Sequence, residues 1–133
     1  MYIVTKHIDF CYGHRLLNYQ GKCRYLHGHN ARVEVDLAAE RLDARGMVQD
    51  FTDIKQVIKT WIDDTLDHTM LLNRADPLVP VLQQQGERFY LMDDNPTAEN
   101  IAKLIYTEAH ARGLPVVAVR LWETPTSCAT YHP

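Results

Sequence analysis

A chain of 133 residues, 46% hydrophobic and 23% charged, has the balance of an ordinary globular protein and the length of one domain, residues 1–133. Its net charge of −3, with no basic tail or long basic run, argues against a nucleic-acid or membrane partner. No apolar run approaches a membrane span, and the opening MYIVTKHIDF is too short and too mixed for a signal peptide.

The first segment, Tyr2 to Phe10, reads as a strand, with apolar Tyr2, Val4, Ile8 and Phe10 at even positions and Lys6 the exception. Leu17 to Lys22 is polar and reads as a loop. A second strand is clearer: Ala31, Val33, Val35 and Leu37 alternate with Arg32, Glu34 and Asp36, so one face is apolar and the other charged. Asp43 to Gly46 is a turn. From Phe51 the period becomes helical, through Ile54, Val57, Ile58, Trp61 and Ile62 to about Leu66, with Asp50 or Thr52 as cap. After Asn73 comes a Pro- and Gln-containing loop, with a short strand at Arg88 to Met92. Pro96-Thr97 opens a second helix, capped by Thr97 with Glu99 in its first turn, which ends near Gly113. Val116 to Glu123 and Ala129 to His132 read as closing strands. Hairpins at each end favour an α+β fold, an antiparallel sheet with both helices on one face.

Histidine is the unusual component, at seven residues. In an extended strand, residues two apart share a face, so His27 and His29 aim their imidazoles at one point. They also share parity with Ala31, Val33 and Val35, which turns the rings towards the apolar side. Gly28 between them lets a backbone or ligand come close. Zinc takes at least three protein ligands. His14, at the end of the first strand, is the best third candidate, because a hairpin would set it beside His27. His7 has the opposite parity, His110 lies late in a helix and His132 is terminal. Three neutral imidazoles leave Zn2+ one open position, the arrangement of a catalytic site. A closed structural site with Cys23 as fourth ligand is the alternative.

Cys23 is flanked by the cations Lys22 and Arg24 and would sit near the metal, two features that favour a thiolate able to act as base or nucleophile. Cys11 and Cys128 lack such neighbours and fit small buried residues. The odd cysteine count, without framework spacing, points to free thiols in a reducing, cytoplasmic compartment. Asp67-His68 is either a general acid–base pair or a helix-end cation beside a carboxylate. Glu123 shares parity with Val117, Val119 and Leu121, and a carboxylate on that face needs a partner: a ligand's N–H edge or an arginine from another element.

These residues resemble the 6-pyruvoyl-tetrahydropterin synthase / 6-carboxytetrahydropterin synthase family. The resemblance is carried by His14-Arg15-Leu16, Cys23-x3-His27-Gly28-His29-Asn30, Gly46-Met47-Val48-x-Asp50-Phe51, Leu66-Asp67-His68, Pro96-Thr97-x-Glu99-Asn100 and Trp122-Glu123-Thr124. Each is unspecific alone; their order and spacing together are specific. The resemblance implies a tunnelling fold: a four-stranded antiparallel sheet with two helices on one face, closed into a barrel by oligomerisation as a hexamer, a dimer of trimers. It implies Zn2+ on His14, His27 and His29, Cys23 as catalytic base, and Asp67 and His68 completing proton transfer from a neighbouring subunit. Glu123, helped by Thr97 and Glu99, would bind the pterin ring.

The implied activity is a lyase reaction on 7,8-dihydroneopterin triphosphate. Its product is 6-carboxy-5,6,7,8-tetrahydropterin, with release of acetaldehyde and triphosphate, in queuosine biosynthesis. The alternatives are 6-pyruvoyl-tetrahydropterin synthesis and, in another class, a non-catalytic zinc-binding assembly protein. Two departures from the family stand out. Phe10-Cys11-Tyr12-Gly13 precedes His14 where the family often has small residues, and the loop from Arg74 to Asn95 is long for the bacterial members.

Overall fold

The computed structural model describes residues 1–133. Strand β1 (Tyr2–His14) pairs antiparallel with β2 (His27–Ala39) along its whole length, from Tyr2 opposite Ala39 to His14 opposite His27. This register puts Ile8 across from Val33 and Phe10 across from Ala31, so both apolar series lie on one face. Strand β2 then pairs antiparallel with β5 (Val116–Thr124), and β5 with β6 (Ser127–Tyr131). These strands form the expected antiparallel core with its two hairpins.

The sheet is wider than the four strands expected. It has six, in the order β4-β3-β1-β2-β5-β6, and it is mixed. β3 (Thr69–Asn73) runs parallel to the end of β1, and β4 (Phe89–Met92) runs parallel to β3. β3 gives β1 a hydrogen-bonded neighbour on its outer edge, and it buries Leu71 and Leu72 completely. β4 is the short strand expected at Arg88 to Met92, whereas β3 carries too little alternation to announce itself. The loop after Asn73 also contains a short helix, α3 (Val79–Gln84), with Pro80 near its start, where a missing N–H costs nothing.

Phe51 to Thr65 is one continuous helix, α1 (Phe51–Ile54), a π turn (Lys55–Lys59) and α2 (Thr60–Thr65). Asp50 caps it by accepting from the Thr52 N–H at 2.8 Å. Ile54, Ile58, Ile62 and Leu66, spaced by four, are all fully buried. A strict spacing of four drifts around an α-helix of 3.6 residues per turn, and the wider π turn keeps the stripe on the core. α4 (Ala98–Ala111) is capped by Thr97, whose hydroxyl accepts from the Asn100 N–H at 3.2 Å, and it buries Ile101, Ala102, Ile105 and Ala109. Gly113, at φ +85°, ends it in the left-handed region as expected.

Both long helices join the apolar sheet face in a single core of 21 buried residues. Each fully buried Ile or Leu there contributes roughly 1.5–3 kcal/mol. The opposite face is polar: Arg120 binds Glu34 and Asp36, and Trp122 donates to Glu34. The pairing of β2 with β5 slips between Asp36 and Leu37. In consequence Val116 is buried while Val117 is 38% exposed, against the simple alternation expected of that strand.

Candidate metal centre and the groups around it

His14 and His27 are directly opposed in the β1–β2 ladder, and Tyr12 is opposed to His29. The three imidazoles therefore lie on the helix-covered face, at the end of the sheet. Their ring centroids are 4.4 Å (His14–His27), 5.1 Å (His14–His29) and 5.2 Å (His27–His29) apart. One ring nitrogen from each falls within 4.8 Å of the others.

Two of the rings are oriented by backbone carbonyls. His14 Nδ1–H donates to Pro96 O at 2.7 Å, and His27 Nδ1–H donates to Tyr25 O at 2.7 Å. A carbonyl can only accept, so both rings carry their proton on Nδ1 and present a bare Nε2. His14 Nε2 and His29 Nε2 are buried with no hydrogen-bond partner. Burial pushes the His14 imidazole below its ordinary pKa, which keeps it neutral. Buried ring nitrogens without partners, close to one another, fit a zinc ion.

Gly28 is required by this arrangement. A Cβ there would lie 2.9 Å from Tyr12 O, a backbone atom of the facing strand. The contact Pro96 makes with His14 also brings the start of α4 to the site. Thr97 serves there as N-cap, and Glu99 is exposed in the first turn.

Cys23 lies in a 3-10 turn (Lys22–Arg24) leading into His27 and is half-buried. It stands outside the group of mutually close histidine nitrogens, so the closed four-ligand site is not formed. Its carbonyl accepts from the Leu16 N–H at 2.9 Å, which ties the turn to the residue two beyond His14. The Arg24 guanidinium is turned to Tyr25, whose hydroxyl it meets at 2.5 Å.

Asp67 and His68 do touch, although neighbours in sequence usually diverge. His68 takes a positive φ of 55°, which lets Nδ1 reach Asp67 Oδ2 at 2.7 Å. Strand β1 holds the pair in place. Cys11 N–H donates to Asp67 Oδ1 at 2.9 Å, and His68 N–H donates to Cys11 O at 2.8 Å. The Cys11 N–H and His68 together hold the Asp67 carboxyl below its ordinary pKa, against the effect of burial. The Cys11 thiol is within 4.8 Å of both groups. This cluster lines an open cleft of ≈ 850 Å³ with Asn30, Arg32 and Trp122. Those residues belong to the polar sheet face, so within one chain the dyad and the three histidines lie on opposite sides of β1.

Glu123 reaches the histidine side. Its Oε2 is 3.9 Å from His29 Nε2, and its Oε1 accepts from the Tyr12 hydroxyl at 3.3 Å. The partner that its position demanded is thus neither an arginine nor a ligand alone but a tyrosine. Sequence reasoning missed that role, although Tyr12 shares parity with Ile8, Phe10 and His14. It also missed the pairing of half-buried Arg15 with buried Asp76, in which Arg15 Nε donates to Asp76 Oδ2 at 2.7 Å. Asn95, which exchanges two hydrogen bonds with Leu17, was missed too. These contacts fasten the long 74–95 segment to the chain just after His14.

The 6-pyruvoyl tetrahydropterin synthase family model matches residues 3–133. The 6-carboxy-5,6,7,8-tetrahydropterin synthase of Rickettsia bellii is 38% identical over 128 residues, 91% of this chain and 93% of its own. The protein of that name from Haemophilus influenzae is 32% identical over 140 residues, 99% of each chain. Among solved structures, an uncharacterised protein from Wolinella succinogenes superposes with a TM-score of 0.81 at 29% identity, covering 98% of this chain and 97% of that one. The 6-pyruvoyl tetrahydropterin synthase of Caenorhabditis elegans gives 0.71 at 27%, covering 100% and 97%.

Proposed function

The chain belongs to the 6-pyruvoyl tetrahydropterin synthase family, and from that premise we propose a zinc-dependent 6-carboxy-5,6,7,8-tetrahydropterin synthase. Its substrate is 7,8-dihydroneopterin triphosphate, and acetaldehyde and triphosphate are its other products. The name carried by the bacterial relatives supports the carboxy product. The observation that carries the zinc reading is the convergence of three imidazole nitrogens, two of them buried without partners.

His14, His27 and His29 hold the metal in this reading. Zinc in a three-histidine site supplies Lewis acidity, which acidifies bound hydroxyls and adjacent C–H bonds. The protein's own groups do the rest. Glu123 accepts the N–H donors of the pterin edge and fixes the ring. Thr97 and Glu99 assist from the start of α4, which the Pro96–His14 contact brings to the metal ligands. Cys23 removes a substrate proton as thiolate, and His68, held by Asp67, gives or takes one.

The dyad and the histidines face opposite sides of β1, so one chain cannot present both to a single substrate. A complete site therefore takes its dyad from another copy, consistent with a hexamer of two trimers whose sheets close into a barrel. No helix is long and apolar enough to cross a membrane, and we place the enzyme in the cytoplasm, in queuosine biosynthesis.

Likeness to a 6-pyruvoyl tetrahydropterin synthase favours a second product from the same residues. Anaerobic incubation of zinc-loaded protein with 7,8-dihydroneopterin triphosphate, with mass spectrometry and aldehyde trapping, tests both. Trapped acetaldehyde with a carboxypterin supports the first reading, and a pyruvoyl pterin without acetaldehyde the second. Unchanged substrate at one zinc per chain would overturn both in favour of a zinc-binding assembly protein.

A further inference from the structure

One side chain in the wall of the histidine site is left unused by this chemistry. Tyr12 is 3% exposed. Its ring stands edge-on to His14 at 5.1 Å, is tilted against His29 at 5.7 Å, and stacks on Phe10 at 5.6 Å. Its hydroxyl donates to Glu123 Oε1 at 3.3 Å.

That hydrogen bond spans three strands and crosses one of them. Tyr12 is on β1 and Glu123 on β5, with β2 between them. Neighbouring strands are about 4.8 Å apart, so the contact bridges roughly 10 Å, a span a phenol can cover. The β2 residue beside His29 on this face is Ala31, whose methyl group leaves the path open. A phenol O–H donates and a carboxylate accepts, so Glu123 is the acceptor.

An ionised carboxylate has about four acceptor positions and no donor. Tyr12 occupies one of them, on Oε1, and Oε2 keeps its own. A glutamate free to rotate would lose that freedom only when a ligand arrives, at a cost in affinity.

We propose that Tyr12 is a positioning residue that fixes the Glu123 carboxylate before the pterin binds, leaving its remaining acceptor positions to the ring's N–H edge. This rests on reading Glu123 as the pterin anchor. Tyr12 acts through Glu123 and lowers the substrate concentration required, with no part in proton transfer.

The test is equilibrium binding of neopterin to zinc-loaded protein, read by pterin fluorescence, beside kcat, KM, zinc content and Tm. Tyr12→Phe keeps the ring and removes only the donor. It should weaken neopterin and raise KM by about tenfold, the scale of one hydrogen bond, with kcat, zinc and Tm preserved. In a Glu123→Ala background, Tyr12→Phe should add no further loss, because nothing remains for it to position. Unchanged neopterin affinity in Tyr12→Phe, while Glu123→Ala weakens binding, overturns the proposal and leaves the anchor reading standing. Additive losses in the double variant would mean direct contact with the pterin, and loss of zinc in Tyr12→Phe would mean support of the histidines; either overturns it. Unchanged neopterin affinity in Glu123→Ala removes the anchor reading itself, and this proposal with it.

Discussion

His14 and His27 stand directly opposite one another in the β1–β2 ladder, with ring centroids 4.4 Å apart. Opposed residues in an antiparallel pair share a face at close range, and His29 follows His27 on the same face. The histidine cluster is thus a consequence of strand register. Burial keeps His14 neutral, and the Nδ1 protons of His14 and His27 are already committed to carbonyls. His27→Ala should therefore fall from one zinc per chain to almost none and lose turnover with it. Metal analysis after gel filtration checks this, and stoichiometric zinc in the variant would remove His27 from the ligand set.

The placement of Asp67–His68 on the far side of β1 makes a different prediction. His27→Ala and His68→Ala should each be inactive alone. Unfolded together and refolded as mixed oligomers, they should recover activity, up to about a quarter of wild type for random mixing, since one pairing in four joins an intact histidine set to an intact dyad. No recovery from properly mixed oligomers would mean that each chain works alone.

Cys23 and Cys11 pose a choice that the sequence settled on flanking charge and an expected place near the metal. Lys22 and Arg24 pointed to Cys23, yet Arg24 is turned to Tyr25, and the thiol beside the dyad in the same chain is Cys11. On the reading that the dyad comes from another copy, Cys23 keeps its proposed role as the base. Cys23→Ala should then keep zinc and lose at least about a hundredfold in kcat, the usual scale for a general base. Turnover near wild type in that variant would clear Cys23 of the role, and Cys11→Ala would be the next variant to assay.

The legible parts of this protein were those with a long period. β2 and α4 followed from alternation and capping, and the histidine trio followed from parity plus one hairpin. What stayed hidden depended on contacts far apart in the chain. Tyr12 stood out only as a departure from the family's small residues, because nothing near it in sequence marks a hydroxyl that meets Glu123, 111 positions away. β3 was too short to show a period, whereas β4 is the short strand expected at Arg88 to Met92. Val117 was misplaced by one slip in pairing that only the neighbouring strand reveals. Contact between Asp67 and His68 stayed open in the sequence, because a positive φ in histidine is uncommon and no local signal requires it.

The Arg15–Asp76 pair ties the 74–95 segment to the residue after His14, and it should make the protein acid-sensitive. Arg15 holds the Asp76 carboxyl below its ordinary pKa, with the Leu78 N–H adding to the effect. A carboxyl whose folded pKa is depressed binds its proton more readily in the unfolded chain. The stabilisation is therefore complete above the unfolded value, near 4, and is lost as pH falls towards the folded one. Asp76→Asn should lower stability at pH 7 by roughly 3 kcal/mol, since it leaves Arg15 without its counter-charge. The gap between variant and wild type should shrink below about pH 4. Denaturant melts at pH 7 and at low pH check this, and a gap independent of pH would mean that the pair contributes by packing and not by charge.

Two glycines beside the histidines look equivalent in sequence, and their surroundings separate them. Gly13 and Gly28 are opposed in the ladder. A Cβ on Gly13 would meet the end of the Met70 side chain, with Cε at 2.7 Å, and a methionine can swing away. A Cβ on Gly28 would meet Tyr12 O at 2.9 Å, and that atom can move only if the strand moves. Gly28 sits between two proposed zinc ligands, so such a shift would spread His27 and His29 as well. Gly28→Ala should cost about 1–3 kcal/mol by overpacking and weaken zinc at least tenfold. Gly13→Ala should cost less and leave zinc nearly unchanged. Competition for zinc against a chromophoric chelator, with thermal melts of both variants, would decide it. Equal zinc affinity in the two would mean that the backbone at His27–His29 tolerates displacement and that the metal set is not held by the close approach of the two strands.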